Sequence, residues 1–196
     1  MAASKEPLGL PGIMKGDIIK IRSQVSGILA YLDRMEATLQ KLIDRQAAPD
    51  PPMVNPTGGV IRSDAMGSGA FGTSRVSTKG DSYPHGGVDL TGKPGQDTRT
   101  PHDGKVNREG FVYNDDRWWK LVEIENDQYI SKLMYCEIDK LTLGQEVKAG
   151  DAVGIMQDIT RKGTYRDRGM DPHIHWTLID KATGKKVDPA PFIFPA

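Results

Sequence analysis

Between residues 17 and 45 the apolar side chains fall at Ile18, Ile21, Val25, Ile28, Leu32, Met35, Leu39 and Leu42, an unbroken alternation of three- and four-residue steps. A strand repeats every two residues and a loop has no period, so this stretch is helical, and its strict 3.5-residue repeat is the seam of a coiled coil. Asp17 is placed to cap the helix, and Lys20, Arg22, Asp33, Arg34, Glu36 and Lys41 fill the other faces, as on a solvated helix. The stripe is narrower than packing on a globular domain needs, so the helix is expected to self-associate or to dock on a partner helix. Isoleucine at both seam positions of the first heptad favours a trimer, whereas Leu32, Met35, Leu39 and Leu42 weaken that preference and leave the oligomer number open.

The texture then changes twice. Residues 46–58 are rich in proline and glycine without periodicity and read as a semi-rigid spacer. From residue 59 to 196, short β-branched and aromatic runs punctuated by glycine (GKVNREGFVY, WWKLVEIEN, QYISKLMYCEI, AVGIMQ, HIHWTLI) predict a mainly β domain of antiparallel sheet, with a hairpin turn at residues 126–129. Residues 1–16 read as a flexible N-terminus, broken by prolines and glycines and unlike a signal peptide, and no apolar run is long enough to span a membrane. Basic and acidic residues balance at 26 each, so nucleic acid is not an expected partner. The only cysteine, Cys136, excludes an internal disulfide and any cysteine-based metal motif.

Three of the four histidines lie in two short motifs, His85-Gly-Gly-Val-Asp89 and His173-Ile-His175. Residues i and i+2 of a strand share a face, so His173 and His175 should present two imidazoles side by side while Ile174 faces the core. The glycines after His85 free the backbone to turn, letting His85 and Asp89 converge on one point. Two imidazoles and a carboxylate around a centre form the three-ligand pattern of catalytic zinc, with a fourth position left for water.

Six ordered segments surround these motifs. Phe71-Gly72-Thr73-Ser74-Arg75, His85-Gly-Gly-Val-Asp89-Leu90, Thr100-Pro101-His102-Asp103-Gly104-Lys105-Val106, the run from Gly144 to Gly154, Pro172-His173-Ile174-His175-Trp176 and Val187-Asp188-Pro189 resemble, in order, the motifs of the lysostaphin-type, or LytM-like, zinc endopeptidases of peptidoglycan. The resemblance implies antiparallel β-sheets with a long substrate groove across the metal, one Zn2+ per chain on His85, Asp89 and His175, and a catalytic rather than a metal role for His173. The family's remaining histidine, in a YxHL motif, is missing. Tyr135-Cys136-Glu137-Ile138 matches best and puts Glu137 in its place, with Cys136 there in the alternative alignment. Glu137 is therefore expected to act as base, since a carboxylate beside zinc can take the proton of the attacking water.

The expected activity is zinc-dependent hydrolysis of a peptide or cross-bridge amide in peptidoglycan. Helix and spacer together suggest a lytic subunit mounted on a bacteriophage tail and acting at the host cell wall, its helix joining further copies or a partner tail protein. The alternative is a zinc-fold module without turnover, structural or wall-binding in the same assembly; a third reading is a helix-mediated adaptor regulating a separate hydrolase. Cys136 is expected to be a buried, inert thiol, His102 to be exposed, Trp118 and Trp119 to share a strand and face opposite sides, and residues 161–168 to form a flexible loop.

Overall fold

The computed structural model describes residues 13–47, 52–77, 79–139 and 141–194, in two units, Met1–Asp50 and Pro51–Ala196. The first unit is one helix, α1 (Ile13–Ala47), which overruns the heptad pattern at both ends, so Asp17 lies inside it rather than at its cap. The seam residues Ile18, Ile21, Val25, Ile28, Leu32, Met35 and Leu39 are each between 45% and 59% exposed. The side chain of Leu42 and residues 1–12 of the expected flexible N-terminus lie outside the described residues. No described helix is long and apolar enough to cross a membrane.

The second unit is built of strands β1 (Ser63–Asp64), β2 (Gly67–Ser68), β3 (Ser74–Val76), β4 (Ser82–Pro84), β5 (Val88–Thr91), β6 (Asp97–Arg99), β7 (Gly104–Phe111), β8 (Lys120–Glu125), β9 (Tyr129–Met134), β10 (Cys136–Glu137), β11 (Glu146–Val147), β12 (Ala152–Met156), β13 (His173–Asp180) and β14 (Lys185–Val187). The helical pieces are a 3-10 turn (Ile159–Arg161) and two single turns, α2 (Gly163–Arg166) and α3 (Ala190–Ile193). Seven strands form the main antiparallel sheet in the order β11-β7-β8-β9-β13-β14, with β5 beside the first half of β13. A second sheet has the order β10-β12-β6, and β1–β2 and β3–β4 are two-stranded ribbons.

The period-2 pattern fixes the register. On β13, Ile174, Trp176 and Leu178 are fully buried with Val88, Leu90, Val122, Ile124 and Leu133, while His173, His175 and Thr177 take the other face. Burying each such aliphatic side chain stabilises by about 1.5–3 kcal/mol, and a one-residue slip would turn the whole set to the wrong face. The predicted hairpin joins β8 to β9: the Asn126 N–H donates to Tyr129 O at 3.0 Å. Its Oδ1 accepts from the N–H groups of Gln128 and Tyr129 at 2.8 Å each.

Four expectations change. The end of the spacer is part of the β domain, because Met53 is buried and the N–H groups of Met53 and Val54 donate to Phe192 O (3.0 Å) and Pro101 O (2.8 Å). Trp118 and Trp119 lie in a turn before β8; Trp119 is buried, and exposed Trp118 stacks under the Arg161 guanidinium at 3.9 Å. Residues 161–168 are largely ordered into the end of the 3-10 turn, which the Asp158 carboxylate caps, and into α2. His102 is buried, not exposed. Cys136 is buried as expected, and burial pushes its thiol up to about 12.

His102 closes a chain of buried polar groups. Trp176 Nε1–H donates to Ser131 Oγ at 3.0 Å, and Ser131 Oγ lies 2.9 Å from His102 Nε2. His102 Nδ1 lies 2.9 Å from the Asp103 carbonyl, which can only accept, so Nδ1 carries the proton and Nε2 accepts from Ser131. Burial lowers the pKa of this imidazole below its ordinary value, so the folded state binds it neutral. Its contribution to stability is full above the unfolded value of about 6.5 and is lost as pH falls towards the folded value. Urea unfolding at pH 7.5 and pH 5.0 should therefore show a smaller acid-induced loss of stability in His102→Gln than in the wild type; equal losses would contradict this assignment.

Candidate metal centre

His85 leaves β4 through backbone bonds to the neighbouring loop: its N–H donates to Thr73 O (2.8 Å), and its carbonyl accepts from Gly72 N (2.9 Å). Antiparallel pairing of β5 with β13 sets Asp89 directly opposite His175. The glycines between His85 and Asp89 serve close approach more than turning, since neither Gly86 nor Gly87 is in the left-handed region. A Cβ on Gly87 would sit 2.3 Å from Trp176 O and 2.9 Å from His175 Nε2.

Three donor atoms thus converge. His85 Nε2 lies 2.9 Å from His175 Nδ1 and 3.2 Å from Asp89 Oδ1, and His175 Nδ1 lies 2.9 Å from the same Oδ1. His85 Nδ1 is 3.0 Å from the Ala70 carbonyl and must be protonated to bond it, which turns the Nε2 lone pair to the centre. His175 Nε2 bonds Thr177 Oγ1 at 3.0 Å, leaving Nδ1 for the centre. Electron pairs so close repel unless a proton or cation lies among them, and each imidazole has its outer nitrogen anchored, as metal-binding histidines do. The set fits a divalent ion that accepts nitrogen and carboxylate ligands.

The second oxygen of Asp89 is neutralised from outside. Arg62 Nη2 and Arg75 Nη2 lie 3.1 and 3.2 Å from Oδ2, and buried Arg62 also pairs with Asp64. Burial alone would raise the Asp89 carboxyl, but its polar surroundings, His175 and His85 first and then His173, hold it far below the usual carboxylate range. His173 stands beside this centre, its Nε2 3.8 Å from Asp89 Oδ1. Its Nδ1–H donates to Asp171 O at 2.8 Å, which leaves Nε2 as a free acceptor, and burial pushes its pKa down. Arg62, Arg75, His85, Asp89, His173 and His175 line a cleft of about 380 Å³ with Tyr83, Tyr113, Met134, Tyr135, Tyr165 and Met170.

Residues 83–189, more than half of the chain, match peptidase family M23. The chain belongs to peptidase family M23. Its fold is similar to that of part of Helicobacter pylori Csd3, with 22% identity and a TM-score of 0.53 over 74% of this chain and 36% of that one. It is also similar to a putative M23 peptidase of Pseudomonas aeruginosa (23% identity, TM-score 0.43, 83% and 61% covered). The catalytic domain of the antimicrobial peptidase lysostaphin from Staphylococcus simulans is a further likeness (20% identity, TM-score 0.46, 63% and 87% covered). The chain thus spans about a third of the length of the Csd3 structure. Among curated protein sequences nothing matches it.

Within the M23 domain, the structure does not bring Glu137 to the centre. Glu137 is exposed on β10, paired with Ile155 of β12, and is not among the residues lining the cleft. Cys136 is enclosed against the second sheet and does not line it either. The segment reaches the cleft instead through Tyr135, at the break between β9 and β10. Tyr135 is the one non-glycine among the described residues with positive φ, at 65°. For a bulky side chain that conformation costs about 1–3 kcal/mol and persists where the surroundings impose it. Its ring meets the rings of His173 and Trp119 edge-on, each at 5.6 Å, and its hydroxyl lies 2.9 Å from that of Tyr113. Arg62, Tyr113 and Tyr165 were not among the residues that the sequence singled out; Tyr135 was, as the first residue of the Tyr135–Ile138 run, but without a role in the site. Arg75 was, as the end of the Phe71–Arg75 segment, but without a role.

Proposed function

We propose that the chain is a zinc-dependent endopeptidase that hydrolyses a peptide or cross-bridge amide of bacterial peptidoglycan. The observation that carries this reading is the convergence of His85 Nε2, Asp89 Oδ1 and His175 Nδ1 in the lining of a cleft, beside the free Nε2 of His173. Membership of the M23 family and the ordered resemblance of its motifs to LytM-like enzymes support the substrate class. When bound by the three residues, zinc supplies Lewis-acid activation of water and of the scissile carbonyl. The protein supplies the rest. Asp171 O fixes the tautomer of His173, so that Nε2 can take the proton of the attacking water and return it to the leaving amine. Arg62 and Arg75 keep Asp89 ionised and oriented.

The exposed seam of α1 supports the further reading that the peptidase is carried on a helical stalk, joined to other copies or to a partner tail protein of a bacteriophage and delivered to the host cell wall. In a parallel pairing of copies, Asp17 precedes a seam position and Arg22 follows the next one. These are the flanking positions that meet across such an interface with opposite charge.

Incubation with purified sacculi and mass analysis of the soluble fragments should reveal new amine ends, and none with His175→Ala. Intact sacculi with a zinc-loaded wild type would instead identify a fold retained without turnover, in a structural or wall-binding role. By light scattering the full chain should be oligomeric and a chain lacking residues 1–45 monomeric; an unchanged oligomer would rule out the stalk.

A further inference from the structure

The turn at Tyr135 has no evident purpose in the sheet. Met134 pairs with His175 and therefore faces the metal centre, so by alternation the next side chain should leave that face and follow Leu133 into the core. The left-handed backbone reverses this and sets the phenol in the cleft. The reversed backbone is fixed by two hydrogen bonds: the Tyr135 N–H donates to Lys120 O at 2.8 Å, and the Tyr135 carbonyl accepts from Gln157 N at 2.7 Å. The ring is wedged between Trp119 and His173, which fixes its direction.

We propose that Tyr135, partnered by Tyr113, donates a hydrogen bond to the carbonyl oxygen of the scissile amide as that oxygen becomes negative. This rests on the peptidase reading above and gives the cleft a second catalytic residue beside His173. Two hydroxyls 2.9 Å apart share one proton between them and keep the other for a third partner. Either hydroxyl can donate in this pair, and Tyr113 has Tyr165 as a further hydrogen-bond partner. In the orientation proposed, the Tyr113 O–H points to the Tyr135 oxygen, the Tyr135 proton is the free one, and the bond behind it strengthens it as a donor. Burial holds both phenols protonated, Tyr113 up to about 12 and Tyr135 well above its ordinary value, which suits a donor and excludes a base.

The division of labour is then complete. The water oxygen bonds to the carbonyl carbon, one water proton passes to His173 Nε2, and the C=O π pair moves onto the oxygen facing the Tyr135 O–H. Collapse restores the carbonyl and breaks the C–N bond. The amine leaves with the proton from His173, giving one carboxylic acid and one amine.

Tyr135→Phe in the full chain keeps the wedged ring and removes only the hydroxyl. The expected result is a fall in kcat of about 100- to 1000-fold, the usual effect of losing one oxyanion donor, with KM, melting temperature and zinc content nearly unchanged. Tyr113→Phe, which leaves the Tyr135 hydroxyl unsupported, should lose roughly tenfold, within the range expected for weakening rather than removing such a donor. A purely structural role predicts full kcat in Tyr135→Phe, and that result overturns the proposal. A second readout needs no turnover: a phosphinic pseudo-peptide with alanine side chains, a tetrahedral anion, should bind the zinc-loaded Tyr135→Phe protein about 100-fold more weakly than wild type by calorimetry, in line with the same donor strength. Equal affinities overturn the assignment. Because that comparison is independent of hydrolysis, it still decides the role of Tyr135 in a protein that releases nothing from sacculi, where the peptidase reading alone would fail.

Discussion

The carboxylate of Asp89 divides its two oxygens between two tasks, and the centre depends on that division. Oδ2 is held by the guanidinium groups of Arg62 and Arg75, while Oδ1 faces His85, His173 and His175. A carboxylate buried this deeply would normally gain a proton. The surrounding donors keep it ionised, and the arginines hold it in one rotamer, so a negative ligand atom is ready where two imidazole lone pairs converge. Arg62 lies in the loop before β1, Asp89 on β5 and His175 on β13, so the ion pairs also tie three separate parts of the chain to one point.

The sheet places these groups by register alone. Once Ile174, Trp176 and Leu178 are committed to the core, His173 and His175 must share the opposite face, and pairing with β5 brings Asp89 across from His175. That is why this part of the site was legible in the sequence: it follows from a two-residue period and a His-Gly-Gly-Val-Asp spacing. The β-rich class, the hairpin at Asn126 and the burial of Cys136 followed from equally local signals. What was not legible depends on departures from local rules. Tyr135 enters the cleft only through a left-handed backbone that no periodicity announces, and the motif match, which continues as if the strand ran on unbroken, put Glu137 there instead. The burial of His102 depends on Ser131 and Trp176, which are distant in sequence. Arg62 lies outside every recognisable motif.

The cleft that results contrasts with a second depression, of about 570 Å³, lined by Asp103, Lys105, Glu125, Glu146 and Lys181. There the charges pair among themselves, as in Lys181 with Glu125 and Lys105 with Glu146, and no set of donor atoms converges. In the cleft the groups are instead poised towards its interior: two imidazoles with anchored outer nitrogens, a third with a free Nε2, and a pair of hydroxyls. A prepared site of this kind costs little reorganisation when charge develops in it. The exposed seam of α1 is the second unsatisfied feature, and it is a matter of assembly rather than chemistry.

The most direct measurement is X-ray absorption at the zinc edge of the purified, zinc-loaded protein. The expected first shell holds two imidazole nitrogens and a carboxylate oxygen at about 2.0–2.2 Å, with no sulfur, and one imidazole is lost in His175→Ala. A shell containing sulfur, or one unchanged by that substitution, would contradict the centre formed by His85, Asp89 and His175.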